Sequence, residues 1–176
     1  MLLVLLAIFT IAFALIFQLA CEEVKKSEKD YNLNPVDPQL EREISEIVKG
    51  YPIESMVPFI AQKDRAVAAF LVSIAKKESG WGEHVPIKNG KDCYNYWGFR
   101  MESDTMGSGG HTCFKSRQQA VNIVSSRISE LINEEKLNSP RKMVVWKCGY
   151  SCAGQNRYDV NKWISDVDFY YKKIIN

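Results

Sequence analysis

Apolar and polar positions divide the chain into one long apolar run, a charged stretch and a series of helical stripes. Met1 to Ala20 is apolar except at Thr10 and Gln18, about the length a helix needs to cross a ~30 Å hydrocarbon layer. No Lys or Arg precedes the run, unlike the basic start of a signal peptide, so residues 1–20 read as an uncleaved transmembrane anchor in preference to a cleaved signal. Residues 21–38 are charged, contain Pro35 and Pro38 and lack apolar periodicity, the pattern of a flexible stalk. Residues 39–176 have the length and patterning of one domain with a single core.

Within that domain the spacing of Leu40, Ile44 and Ile47 predicts a short helix over Gln39–Lys49, stopped by Gly50-Tyr51-Pro52. A second short helix is expected over Ile53–Ala61. Ala66 to Ala75 is apolar on every face apart from Ser73, which places a helix, capped by Asp64, in the middle of the fold. Gly80 is its natural terminator. Pro86–Phe114 changes character, being rich in glycine and carrying Tyr94, Tyr96, Trp97 and Phe99, so it reads as an irregular β-hairpin lobe. Ser116 with Gln119 begins a capping-box helix whose face is Ala120, Val121, Val124, Ile128, Leu131 and Ile132. A short helix from Ser139-Pro140 through Trp146 follows. The last helix carries the stripe Val160, Trp163, Ile164, Val167, Tyr170, Tyr171 and Ile174. The expected class is mainly α (α+β).

A net charge of +2 implies no strong electrostatic partner, and no basic stripe reaches the density nucleic-acid binding requires. Cysteine usage says more. Cys93, Cys113, Cys148 and Cys152 are an even set in a small domain behind a membrane segment, which suggests two disulfides and an oxidising compartment. The local pairings Cys93–Cys113 and Cys148–Cys152 are preferred, because each closes a loop rich in turn residues. The rival is a zinc site with His111, whose spacing fits no standard finger or ribbon; no metal and no cofactor are expected. Lys25, Lys26 and Lys29 just past the anchor would place the domain in the cytoplasm. The cysteines outweigh that cue, and an extracytoplasmic, membrane-anchored monomer is expected. Cys21 after Leu19-Ala20 weakly matches a lipoprotein box, with Gln18 where an aliphatic residue belongs.

Glu78 is the outstanding candidate for chemistry, because it stands where the central apolar helix emerges, beside Trp81. A carboxylic acid that protonates a glycosidic oxygen must keep its proton near neutral pH, which an apolar setting favours by penalising the charged form. The plain alternative is a solvated helix-end residue paired with Lys76 or Lys77. A carboxylate at a helix C-terminus faces the unfavourable end of the dipole, which makes that alternative less comfortable.

Ile74-Ala75-Lys76-Lys77-Glu78-Ser79-Gly80-Trp81-Gly82 resembles the I-A-x-x-E-S-G-W-G motif of the glucosaminidase family within the lysozyme-like superfamily. Asn95-Tyr96-Trp97-Gly98-Phe99-Arg100 is similar to that family's N-x-F-G-I-K element, with Trp97 for the Phe and Arg100 for the Lys. Phe114-Lys115-Ser116 resembles its F-x-S helix start. The resemblance spans about residues 53–174 and implies a lysozyme-like helical domain in which Glu78 is the general acid. It further implies that Ser79, Trp81, Asn95, Tyr96, Trp97 and Gly98 are substrate contacts, and Tyr158 is the best match to a cleft tyrosine. His111 could orient substrate or donate a hydrogen bond, although an ordinary exposed loop histidine is the plainer account. Trp97 is expected on the core side of the cleft and Tyr96 nearer the sugar. Trp81 is as good a core plug as a sugar platform, and Trp146 and Trp163 read as core.

Met106 to Ser129 contains no Asp or Glu, so a second carboxylate must come from Glu83, Asp92, Glu102 or Asp104. Glu102 and Asp104, in the lobe, are preferred. The implied activity is cleavage of β-1,4 bonds in peptidoglycan glycan strands, as an N-acetylglucosaminidase. The alternatives are a lytic transglycosylase on the same substrate, or a glycan-binding module that retained the fold without turnover.

Overall fold

The computed structural model describes residues 35–102 and 104–176. The expected anchor, and all of the stalk before Pro35, lie outside the described residues. Among the described residues no helix is long and apolar enough to cross a membrane. The architecture is mainly helical with one two-stranded sheet.

Helix α1, Pro38–Val48, starts one residue before the expected Gln39. Asp37 Oδ1 accepts from the amides of Gln39 (2.9 Å) and Leu40 (3.1 Å), while Pro38 occupies the first position, where no amide is needed. The expected single helix over 53–61 is split into a 3-10 turn, Pro52–Met56, and a short α2, Val57–Ile60. Pro58 explains the split, because without an N–H it cannot continue an α-helical ladder back to Glu54.

Helix α3, Arg65–Ser79, is the centre of the core, with Val67 to Ala75 buried throughout. Its one polar residue there is satisfied inside the helix, Ser73 Oγ donating to the Ala69 carbonyl at 2.7 Å. Asp64 stands at the N-cap but its side chain makes no capping bond, contrary to expectation. Gly80, at φ +64°, ends the helix as expected.

The segment after it forms the lobe. Strands β1 (Ile87–Lys88) and β2 (Lys91–Asp92) pair antiparallel. Their two-residue turn is Asn89-Gly90, both at positive φ, the geometry that matches strand twist. The Cys93–Cys113 disulfide and a bridge between Met106 and Thr112 close the remainder.

Helix α4, Arg117–Asn133, is capped by Ser116 Oγ on the Gln119 amide (3.1 Å), but Gln119 Oε1 reaches back to the Lys115 amide (2.7 Å) rather than to Ser116. Helix α5 is only Val145–Cys148; the residues from Ser139 to Val144 are turns. The Cys148–Cys152 disulfide follows. Both expected cysteine pairings are therefore formed, and the competing Cys/His111 metal arrangement is not adopted. Helix α6, Arg157–Ile175, is capped by Asn156 and packs along α3, with Trp163, Val167 and Ile174 buried. Arg65 fastens the far end of this pair, donating to the Ile174 carbonyl (2.7 Å) and to Glu43 (2.6 Å).

Candidate functional site

The turn that follows α3 is built from residues 78–82. Gly80, Trp81 and Gly82 all have positive φ, so the chain reverses immediately after the helix. Trp81 adopts that conformation at a cost of ~1–2 kcal/mol. Burial of its indole offsets the cost: Nε1 donates to the Val72 carbonyl (2.8 Å), and the ring meets Tyr51 and Tyr170 edge-on. A Cβ on Gly82 would lie 2.8 Å from the Tyr96 ring, so only glycine admits this close approach. Ser79 is buried; its Oγ donates to the Tyr96 carbonyl (2.8 Å) and accepts from the Gly82 amide (3.0 Å). Ser79 and Gly82 thus hold the lobe against the helix end, Trp81 plugs the core, and Glu78 is the exposed residue of this run.

Both cations that could have neutralised Glu78 are engaged elsewhere. The Lys76 ammonium sits 4.4 and 4.3 Å from the ring centroids of Tyr51 and Trp81. Lys77 Nζ pairs with Asp166 at 2.6 Å. Glu78 instead accepts one hydrogen bond, from the buried indole Nε1 of Trp163 to its Oε1, at 2.7 Å. Its Oε2 lies toward Gly98, where a Cβ would come within 3.3 Å. The plain helix-end ion pair is therefore not formed.

Two cavities of about 570 and 640 Å³ share Glu78, Gly98 and His111 and together make a groove with Glu78 at its middle. Glu78 is exposed in the groove, not enclosed by apolar residues as its position on the helix suggests. The larger share of aromatics lies in the first half, where Trp146 forms a wall. Its Nε1 donates to the Trp97 carbonyl (2.9 Å), and its ring stacks on Phe99 at 5.8 Å. Tyr150, inside the Cys148–Cys152 loop, stands at the same side and donates to Glu135 (2.8 Å). The second half is bordered by Glu83, His84, Ile87 and Ser108.

The other sequence-derived candidates divide sharply. Trp97 borders the groove from the core side, its indole donating to the Leu71 carbonyl (2.8 Å). Gly98 lies beside the carboxylate. His111 is common to both halves. Its Nδ1 is 3.1 Å from the Ser108 carbonyl and its Nε2 3.3 Å from Arg100, which fits a neutral ring donating from Nδ1 and accepting at Nε2.

Asn95 borders the second half, with both amide hydrogens spent on the lobe: Nδ2 donates to the carbonyls of Phe99 (2.8 Å) and Thr112 (2.9 Å), and Oδ1 accepts from Phe99 N (3.0 Å). It locks the lobe, and its Oδ1 retains one acceptor position. Trp81 is the core plug and not a platform. Tyr96 is buried and turns away from the groove, its hydroxyl donating to Asp92 (2.9 Å) beside a separate hollow. Burial, and then the Asp92 carboxylate, push its phenol well above the ordinary tyrosine range. Tyr158 is 71% exposed at the start of α6 and lines neither half.

Glu102 and Asp104 are exposed on the lobe and also line neither half. The groove takes Glu83 instead, one of the four carboxylates the sequence offers but not one of the two it favours. Trp163 was legible only as a core residue. Nothing in its helical stripe indicates that its N–H reaches a carboxylate 85 residues away.

The fold and groove define a mainly helical domain in which Glu78, without a cationic partner among the described residues, stands in a cleft with an aromatic wall. Comparison with known proteins adds no identity: no family model, curated protein or solved structure matches the chain.

Proposed function

We propose that this chain is a lysozyme-like glycoside-cleaving domain that acts on the β-1,4 bonds of peptidoglycan, with Glu78 as its general acid. The observation that carries the reading is the state of Glu78: midway along an open groove, without a cationic partner among the described residues, and oriented by one indole N–H. Oε1 is held by Trp163, which leaves Oε2 to deliver a proton to the leaving glycosidic oxygen. A glycan strand seated against Trp146 covers the exposed Glu78 and shields its carboxyl from solvent. Glu83 borders the same groove, and in a hydrolytic mechanism it is the carboxylate available to activate water or stabilise the developing positive charge. In a lytic transglycosylase the sugar's own hydroxyl attacks instead, and Glu83 is dispensable. The resemblance around residues 74–82 and 95–100 favours the N-acetylglucosaminidase reaction. An anchor over residues 1–20 and the two disulfides fit a domain held at the outer face of a membrane, close to the wall it cuts.

The test is digestion of purified peptidoglycan with mass spectrometry of the soluble products. Wild-type protein should release muropeptides, and Glu78→Gln should lower the rate by on the order of 10²–10⁴-fold, the contribution typical of general acid catalysis. Reducing ends identify a hydrolase and 1,6-anhydro ends a transglycosylase. Glycan binding without any release by the wild-type protein overturns the enzymatic reading and leaves a binding module.

A further inference from the structure

The groove is electrically lopsided. Among the described residues, its first half is bordered by Lys77, Arg100, Arg127 and Lys147, with Glu78 the sole acid there. Its second half carries Glu83 beside the shared Glu78 and, among the described residues, no Lys or Arg. Two of the cations are neutralised from behind, Lys77 by Asp166 (2.6 Å) and Arg127 by Glu130 (2.6 Å) and Glu135 (3.5 Å). Arg100 and Lys147 have no acidic partner among the described residues; Arg100 meets only the His111 ring nitrogen, at 3.3 Å. One cation comes from the lobe and the other from α5, so the fold brings them to one cavity from separate segments. With Lys77 and Arg127 neutralised, Arg100 and Lys147 outweigh the single carboxylate of Glu78, and a cavity whose lining is net positive favours a bound anion.

We propose that this half of the groove selects a glycan carrying carboxylates, and that Arg100 and Lys147 receive a carboxylate on the substituent of the sugar bound there. The proposal rests on the glycoside-cleaving reading and names its substrate class: acidic, peptide- or lactyl-substituted N-acetylated strands, not neutral chitin-like ones. It also fixes polarity. The carboxylate-bearing substituent lies on the Trp146 side of Glu78, because the Glu83 side would repel it. The guanidinium of Arg100 suits a bidentate carboxylate contact, whereas Lys147 acts as a point charge.

The test compares two preparations of the same glycan strands, one native and one with its carboxylates amidated, using the full chain and its variants at low salt. Wild-type kcat/KM should favour the native strands by about tenfold, the size of one charge-assisted contact. That preference should shrink as salt is raised. In the double variant R100Q/K147Q the two preparations should be cleaved alike, and in K147E the amidated strands should be preferred. Circular dichroism and melting verify that the variants fold. Equal cleavage of both preparations by the wild-type protein, or a preference that survives in R100Q/K147Q, overturns the proposal while leaving the glycosidase reading intact. If the wild-type protein cleaves neither preparation, the glycosidase reading fails. Calorimetric binding of a native muropeptide against its amidated form then decides the proposal by the same comparison: tighter binding of the native form upholds it, and equal binding overturns it.

Discussion

Trp163 Nε1 donates to Glu78 Oε1 across 2.7 Å, joining the middle of α6 to the last turn of α3. The indole is buried and the carboxylate exposed, so the bond is anchored on the protein side and fixes the direction of a group that solvent would otherwise leave to rotate. Trp163 is a positioning residue: it acts on a substrate only through the carboxyl it holds.

Replacing Trp163 with Phe keeps an aromatic ring in the core and deletes the donor. Loss of that hydrogen bond, with some loss of packing, should lower stability by about 1–3 kcal/mol. If the bond orients the acid, kcat on peptidoglycan should fall about tenfold or more with KM little changed. A purely structural role would lower the melting temperature and leave kcat below that temperature unaltered.

Gly98 and Gly50 make a matched pair. Both have positive φ, +65° and +81°, so Ala at either position meets the same kind of backbone penalty, ~1–2 kcal/mol. Only at Gly98 would the new methyl approach Glu78, 3.3 Å from Oε2; around Gly50 there is nothing within 4 Å. Gly98→Ala and Gly50→Ala should therefore lose similar stability in thermal melts. Glycan cleavage should fall in Gly98→Ala alone.

The tie between α3 and α6 should weaken in acid. Burial raises the pKa of Asp166, but the hydrogen bonds from Lys162 and Lys77 outweigh it and hold the carboxyl below its ordinary value of 3.8. A folded-state pKa below the unfolded one contributes stability that is present above about pH 4. That contribution is lost as pH falls through the folded value. Melting temperatures measured between about pH 2 and 6 should fall more steeply below pH 4 for wild-type protein than for Asp166→Asn. Parallel profiles for the two proteins would rule out this source of acid sensitivity.

Local grammar made the frame of this protein readable from its residues. Apolar period located α1, α3, α4 and α6; Gly80 and Ser116 marked an end and a start; and the short cysteine loops announced their own pairings, because closure of a short loop is decided by nearby chain. Where a local cue failed, another local group had prevailed, as when Pro58 interrupted the helix expected over 53–61. The motif around Glu78 was also legible, although most of its residues proved to be scaffolding. Ser79, Trp81, Gly82 and Asn95 spend their hydrogen bonds and contacts on the lobe and the core, although Ser79 and Asn95 still border one half of the groove.

Packing alone decided the rest. Whether Glu78 would pair with Lys76 or Lys77 depended on Tyr51, Trp81 and Asp166, which reach those lysines only after α3 docks on its neighbours. The choice of Glu83 over Glu102 and Asp104 as the second groove carboxylate depended on how the lobe folds back. Trp163 met Glu78 because two helices distant in sequence lie side by side. Periodicity reports which face of an element is turned inward, since burial repeats with the helix turn. It carries no record of which side chain on another element will stand opposite, since that is fixed by the mutual register of packed surfaces.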